Sequence, residues 1–132
     1  LEYGHVKLRE QLGLLSGPVE EFQKSATAEH NAMLNMLVEE GYLDKAALDD
    51  EAANENEIVD ALYRGLKGSP CKLMAASIVD AVGEKRTQNQ PGTNNEYPNW
   101  RIPLADGDGN VVPLEKLFDE PRLQEITAIM RG

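Results

Sequence analysis

Cysteine is almost missing from this chain: Cys71 stands alone among 132 residues, so no disulfide can close within it and no cysteine cage can hold zinc. Aromatic residues make up only 5%, which leaves the core to be built mainly from the aliphatic and alanine part of a 41% hydrophobic content. Basic residues are scarce. Thirteen Lys and Arg against 23 Asp and Glu give a formal charge of -10 with no basic cluster, which excludes nucleic acid and anionic membrane as partners, since both are repelled at long range. No apolar run approaches the roughly eighteen residues of a membrane span, and no basic segment followed by an apolar one opens the chain. These absences together predict a soluble cytoplasmic protein.

Cofactor and metal motifs are missing as well. There is no Gly-rich phosphate loop, no Gly-x-Ser-x-Gly and no His-Glu-x-x-His. His5 and His30 have no nearby Cys and no second His at helical spacing. Asp106, Asp108 and Asn110 start like a calcium loop, but Val111 occupies its glycine position and Leu117 its bidentate acid position. A plain turn is expected there, with no metal and no cofactor.

What is present reads as a mainly α chain with at most one or two short strands. Residues 1–41 are predicted helical. Val6, Leu8, Leu12 and Leu15 lie near the helical period and predict a helix that ends around Gly13, and Phe22, Ala26, Met33, Leu34, Leu37 and Val38 mark a longer helix that opens at Pro18 and stops at Gly41. Residues 42–56 form an acidic connector with one helical turn near residues 46–48. In residues 57–83, Ile58, Leu62 and Leu66 step by four toward Gly68, which predicts a helix over 56–67. A strand at residues 73–76 and a short helix at 78–82 follow. Residues 84–113 hold a distinctive loop and a hairpin around Asp106-Gly107-Asp108-Gly109. Residues 114–132 close the chain with a short turn of helix and a last helix opening at Pro121.

The loop from Asn89 to Arg101 is the most informative stretch: Asn-Gln-Pro-Gly-Thr-Asn-Asn-Glu-Tyr-Pro-Asn-Trp-Arg. Pro91 fixes its own φ, Gly92 can take the positive φ of a type II turn, and Pro98 holds Tyr97 extended. Its amides offer donors and acceptors while Tyr97 and Trp100 offer flat apolar faces, a mixture suited to sugar rings with hydroxyl edges and C–H faces. Packing is the alternative role for both aromatics. Glu96 is expected to brace the loop through backbone N–H groups.

This run is similar to the C-terminal signature of the 4-α-glucanotransferases, the amylomaltase or maltodextrin disproportionating enzymes. Glu2-Tyr3-Gly4-His5-Val6-Lys7-Leu8-Arg9-Glu10-Gln11-Leu12-Gly13-Leu14-Leu15 and Gly68-Ser69-Pro70-Cys71-Lys72-Leu73, leading into Asp80-Ala81-Val82-Gly83, agree with the same family in the same order. Two local departures are Thr87-Gln88, where an apolar residue usually precedes the Asn, and Gln90, in place of a smaller or apolar residue. The resemblance implies the C-terminal part of a (β/α)8 barrel enzyme that moves α-1,4-glucan segments between maltooligosaccharides through a covalent glycosyl-enzyme intermediate. It implies that the three catalytic carboxylates precede Leu1, so that this chain carries no catalytic residue and is inactive alone. It places Asn89, Pro91, Gly92, Asn99 and Trp100 on the substrate side, with Asn89 toward a bound glucose unit.

A start at Leu1 fits a piece of a longer polypeptide. Cut from a barrel, the strand at residues 73–76 loses its neighbours, so the isolated piece is expected to convert it to helix or to self-associate. Two other functions fit the same residues: a non-catalytic helical interaction module with an acidic surface, and a stand-alone glycan-binding unit.

Overall fold

The computed structural model describes residues 3–132, so Glu2, at the head of the N-terminal match, lies outside the described residues. Six α-helices follow in order: α1 at Gly4–Gln11, α2 at Val19–Glu39, α3 at Glu55–Gly68, α4 at Ile78–Val82, α5 at Leu114–Leu117 and α6 at Pro121–Arg131, with a 3-10 helix at Lys45–Asp50 between α2 and α3. No strand forms among the described residues; the one β feature is an antiparallel bridge between Ala105 and Val111. The mainly α expectation holds.

The chain divides into two units. The first runs up to Met33 and includes Arg86–Ile102; the second comprises Leu34–Lys85 and Pro103–Gly132, so the division falls inside α2.

In the first unit α1 buries Val6 at 2% exposure, and the N-terminal part of α2 buries Ala26. The Tyr3 hydroxyl lies 2.8 Å from Thr27 Oγ1, whose own proton goes to the Gln23 carbonyl, so Tyr3 is the donor of the pair. The α1 helix closes with a Schellman pair, Leu14 N–H to the Arg9 carbonyl at 2.8 Å and Gly13 N–H to the Glu10 carbonyl at 3.0 Å.

In the second unit, α2 ends on the same pair of bonds, Tyr42 to Leu37 and Gly41 to Val38. Gly41 stands there at φ 76, a left-handed position that costs a side-chain residue about 1 kcal/mol. Asp44 caps the 3-10 helix by accepting from Ala46 N–H at 2.8 Å, so the acidic connector carries more ordered helix than one turn. The helix predicted at 56–67 appears as α3 one residue longer at each end. Gly68 matters there for its bareness, because a Cβ would overlap the Tyr42 hydroxyl.

The core of this unit is Tyr63, Ala81 and Ile126, with Val59, Leu66, Leu123, Ile129 and Met130 packed around them, which brings α3, α4 and α6 together. Pro121 opens α6 as its composition predicts. Arg122 on α6 joins Asp60 on α3 at 2.9 Å, and at the other end Lys67 Nζ donates to the Met130 carbonyl at 2.9 Å. The two helices are thus fastened at both ends.

The strand predicted at residues 73–76 is a correction. The segment is irregular, with Leu73 93% exposed, because no ladder neighbour reaches its backbone groups among the described residues. It has not become helix either. Its far end is fixed: Ser77 N–H donates to the Tyr63 hydroxyl at 2.9 Å, and that hydroxyl donates to Asp80 Oδ2 at 2.5 Å. The predicted hairpin survives as the Ala105–Val111 bridge around Asp106, whose carboxylate accepts from the N–H of Asp108 and the N–H and Nδ2 of Asn110. Those bonds, Asn110 foremost, hold its pKa below the ordinary value.

Candidate functional site

All five residues expected on the substrate side, Asn89, Pro91, Gly92, Asn99 and Trp100, belong to the first unit, in the loop at Arg86–Ile102. The loop contains no regular helix or strand, so its shape rests on side-chain bonds to its own backbone. The centre of these is Gln90. Its N–H donates to Asn99 Oδ1 at 2.7 Å, and its carbonyl accepts from Thr93 Oγ1 at 2.6 Å. Asn99 Nδ2 in turn donates to Thr93 Oγ1 at 2.9 Å, which closes a ring of three hydrogen bonds around one peptide residue. Gln90 itself is buried at 8% exposure and its side-chain amide donates to the Pro91 carbonyl at 3.1 Å.

Two more bonds cross the loop. The Tyr97 hydroxyl donates to the Thr87 carbonyl at 2.6 Å, and Trp100 N–H donates to the Gln88 carbonyl at 2.8 Å. The second bond holds Trp100 at φ 59, a left-handed conformation that a bulky aromatic adopts only under constraint. Its ring is 77% exposed. Glu96 Oε2 accepts from Asn94 N–H at 2.7 Å, and such backbone donors pull its pKa below the ordinary carboxylate value. The bracing role expected of Glu96 is therefore present.

Gly92 takes φ 87, and Leu14, just beyond α1, comes so close that an added Cβ would stand 3.3 Å from Leu14 Cδ2. Arg9, Leu14, Gln90, Pro91 and Gly92 line an open cleft of about 590 Å³ at this place. The Arg9 guanidinium lies 5.7 Å from the centroid of the Phe22 ring, which steadies the positive charge at one side of the cleft.

The five expected residues differ in how much of their chemistry remains available. The Asn99 carboxamide is used at both ends inside the loop. The Asn89 backbone carbonyl accepts from Thr87 Oγ1 at 2.9 Å, and its side-chain amide makes no hydrogen bond with another described residue. Pro91 and Gly92 are exposed on the turn. Asn89 therefore keeps an uncommitted amide and Trp100 an open aromatic face, groups able to hydrogen-bond a hydroxyl edge and to cover a C–H face. Thr93 was not among the expected site residues, yet it holds the loop closed. Among the described residues no three His, Cys, Asp or Glu side chains gather where they could hold a metal ion.

Comparison with known proteins returns one consistent family. The family model described as 4-alpha-glucanotransferase matches residues 15–108. The chain is 45% identical over 127 residues to a 4-alpha-glucanotransferase of Mycobacterium tuberculosis (strain H37Rv), covering 96% of this chain and 17% of that protein. It is 27% identical over 122 residues to a 4-alpha-glucanotransferase of Haemophilus influenzae, covering 90% of this chain and again 17% of the relative. Among solved structures it superposes on the amylomaltase from Corynebacterium glutamicum with a TM-score of 0.86 at 30% identity, over 98% of this chain and 19% of that one. The chain thus spans less than a fifth of the length of the relatives it matches. The resemblance read from the 89–101 run is borne out.

Proposed function

The chain belongs to the 4-alpha-glucanotransferase family, and from that premise we propose that it is the single C-terminal segment of a cytoplasmic (β/α)8 barrel enzyme that transfers α-1,4-glucan segments between maltooligosaccharides. The reaction is a retaining double displacement: a carboxylate displaces the leaving sugar from the donor's anomeric carbon, and an acceptor hydroxyl then displaces that carboxylate. The nucleophile, the acid/base and the stabilising carboxylate lie on polypeptide outside this chain, so the segment alone has no catalytic turnover. Its contribution is to binding. Asn89, Pro91, Gly92 and Trp100 form the sugar-facing rim of the loop, and Asn99 serves the same rim.

The observation that carries this reading is an uncommitted Asn89 amide in the same tied loop as a Trp100 that is 77% exposed and held at φ 59. A loop whose backbone is tied down while Trp100 stays exposed and the Asn89 amide unbonded is preorganised for a polar ring. Exposed Leu73, Leu114 and Phe118 in the second unit fit a segment that packs against further polypeptide.

The test is a maltotriose disproportionation assay of the full-length product, reading glucose release and longer chains. Transfer by that product, with none from the 132-residue chain alone, is the expected result. A full-length product that binds maltotriose without transferring it overturns the enzyme reading in favour of a glycan-binding unit, and one that does neither favours an interaction module.

A further inference from the structure

We infer that Asn99 and Thr93 are positioning residues, acting together through the Gln90 peptide to hold Asn89 and Trp100 in their presenting geometry, and that neither touches the sugar. The inference rests on the reading that this loop faces a glucan, but its geometric half stands apart from that reading. Asn99 Oδ1 takes the Gln90 N–H at 2.7 Å and Asn99 Nδ2 gives a proton to Thr93 Oγ1 at 2.9 Å, so both ends of the carboxamide are engaged within the loop. Thr93 has one hydroxyl proton, and it is committed to the Gln90 carbonyl at 2.6 Å; the oxygen's acceptor side is taken by Asn99. The ring therefore fixes both backbone groups of the residue that directly follows Asn89.

Proton directions make the ring selective. An aspartate at position 99 would still accept from Gln90 N–H, but its second oxygen would meet the oxygen of a hydroxyl whose proton points elsewhere. Turning that proton to the carboxylate would strip the Gln90 carbonyl of its strongest donor, so Asn99→Asp loses a bond whichever way Thr93 rotates. A shorter hydroxyl keeps the ring, which makes Thr93→Ser the conservative variant and Thr93→Val the disabling one.

The experiment is a double-mutant cycle in the full-length product, with kcat/KM for maltotriose transfer as one readout. Asn99→Ala and Thr93→Val are each expected to lower kcat/KM about 10-fold, and the double variant to fall no further than about 10-fold, since either change opens the same ring. Thr93→Ser is expected to stay within about twofold of wild type. Additive losses approaching about 100-fold in the double variant, or a Thr93→Ser as impaired as Thr93→Val, would overturn the inference and make Asn99 a direct contact.

Hydrogen exchange of the Gln90 amide and near-ultraviolet dichroism of Trp100 in the 132-residue chain provide the second readout. Asn99→Ala and Thr93→Val should each speed that exchange and change the Trp100 band, with no further change in the double variant. Unchanged signals in both single variants overturn the positioning role even if transfer falls. A wild-type product without transfer refutes the glucan reading, while the exchange and dichroism still decide the ring.

Discussion

Replacing Tyr63 by Phe isolates what one hydroxyl does in the second unit. The ring remains in the cluster with Ala81 and Ile126, so apolar burial is unchanged, and only two hydrogen bonds disappear: the donation to Asp80 and the acceptance from Ser77 N–H. A bond to a charged acceptor is worth about 1.5–3 kcal/mol and a neutral one about 1 kcal/mol. Water reaches both abandoned partners, since Ser77 is exposed and Asp80 half-buried, so the sum is reduced to about 2 kcal/mol. For a chain of this size that is a fall in Tm of about 7 °C. Urea unfolding followed by far-ultraviolet dichroism measures it, with the slope on denaturant unchanged because the exposed surface is unchanged. A loss below about 0.5 kcal/mol would refute the reasoning.

The same hydroxyl gives a pH signature. Burial first, and then the bond to Asp80, raise the Tyr63 pKa above 10.0. A raised acid pKa means that the fold favours the protonated phenol, so the associated stability is complete below 10.0 and is lost as pH rises through the raised value. Phenolate absorbance near 295 nm should therefore lose a late-titrating component in Tyr63→Phe, and the stability gap between the two should narrow at high pH.

Two further substitutions probe the same unit. Ile126→Ala removes a side chain at 2% exposure from the centre of the α3, α4 and α6 cluster and should cost about 3 kcal/mol by urea unfolding; a loss under about 1 kcal/mol would mean that the cluster collapses around the gap or does not exist. Arg122→Met leaves Asp60, 15% exposed, with only Arg64 at 3.9 Å on the same helix, and should cost about 2 kcal/mol in a manner that 0.5 M salt does not abolish. A salt-sensitive or negligible effect would show the pair to be an ordinary surface contact.

How much of this was legible in the sequence depends on the distance over which each feature is decided. The α3 helix was readable because Ile58, Leu62 and Leu66 repeat at the helical step and Gly68 ends it, and α6 because Pro121 marks its first turn. Residues 73–76 were not, since a strand exists only when another segment pairs with it, and nothing local specifies that partner. The Tyr63, Ser77 and Asp80 junction was invisible for the same reason, with its donor Ser77 14 residues and its acceptor Asp80 17 residues from the ring.

In the loop, Pro91, Gly92 and Pro98 announced a turn with a defined course, and Glu96 its brace. The inward direction of Asn99 could not be read, because an amide in a polar turn faces solvent or backbone with equal ease until Thr93 supplies the second partner. Trp100 at φ 59 had no sequence signal at all: bulky aromatics disfavour that region, and the bonds from its N–H to the Gln88 carbonyl and from Arg101 N–H to the Pro98 carbonyl hold the turn there.

The most direct test of the account is transfer of glucosyl units from maltotriose by the full-length product, compared with its Asn89→Ala variant. The account predicts glucose and longer oligosaccharides from the wild type, and a variant that folds normally yet transfers at least about 10-fold more slowly, having lost an amide left free for sugar. Wild-type turnover with an unimpaired Asn89→Ala would remove the loop from the glucan site, and no turnover by the wild type would contradict the assigned activity itself.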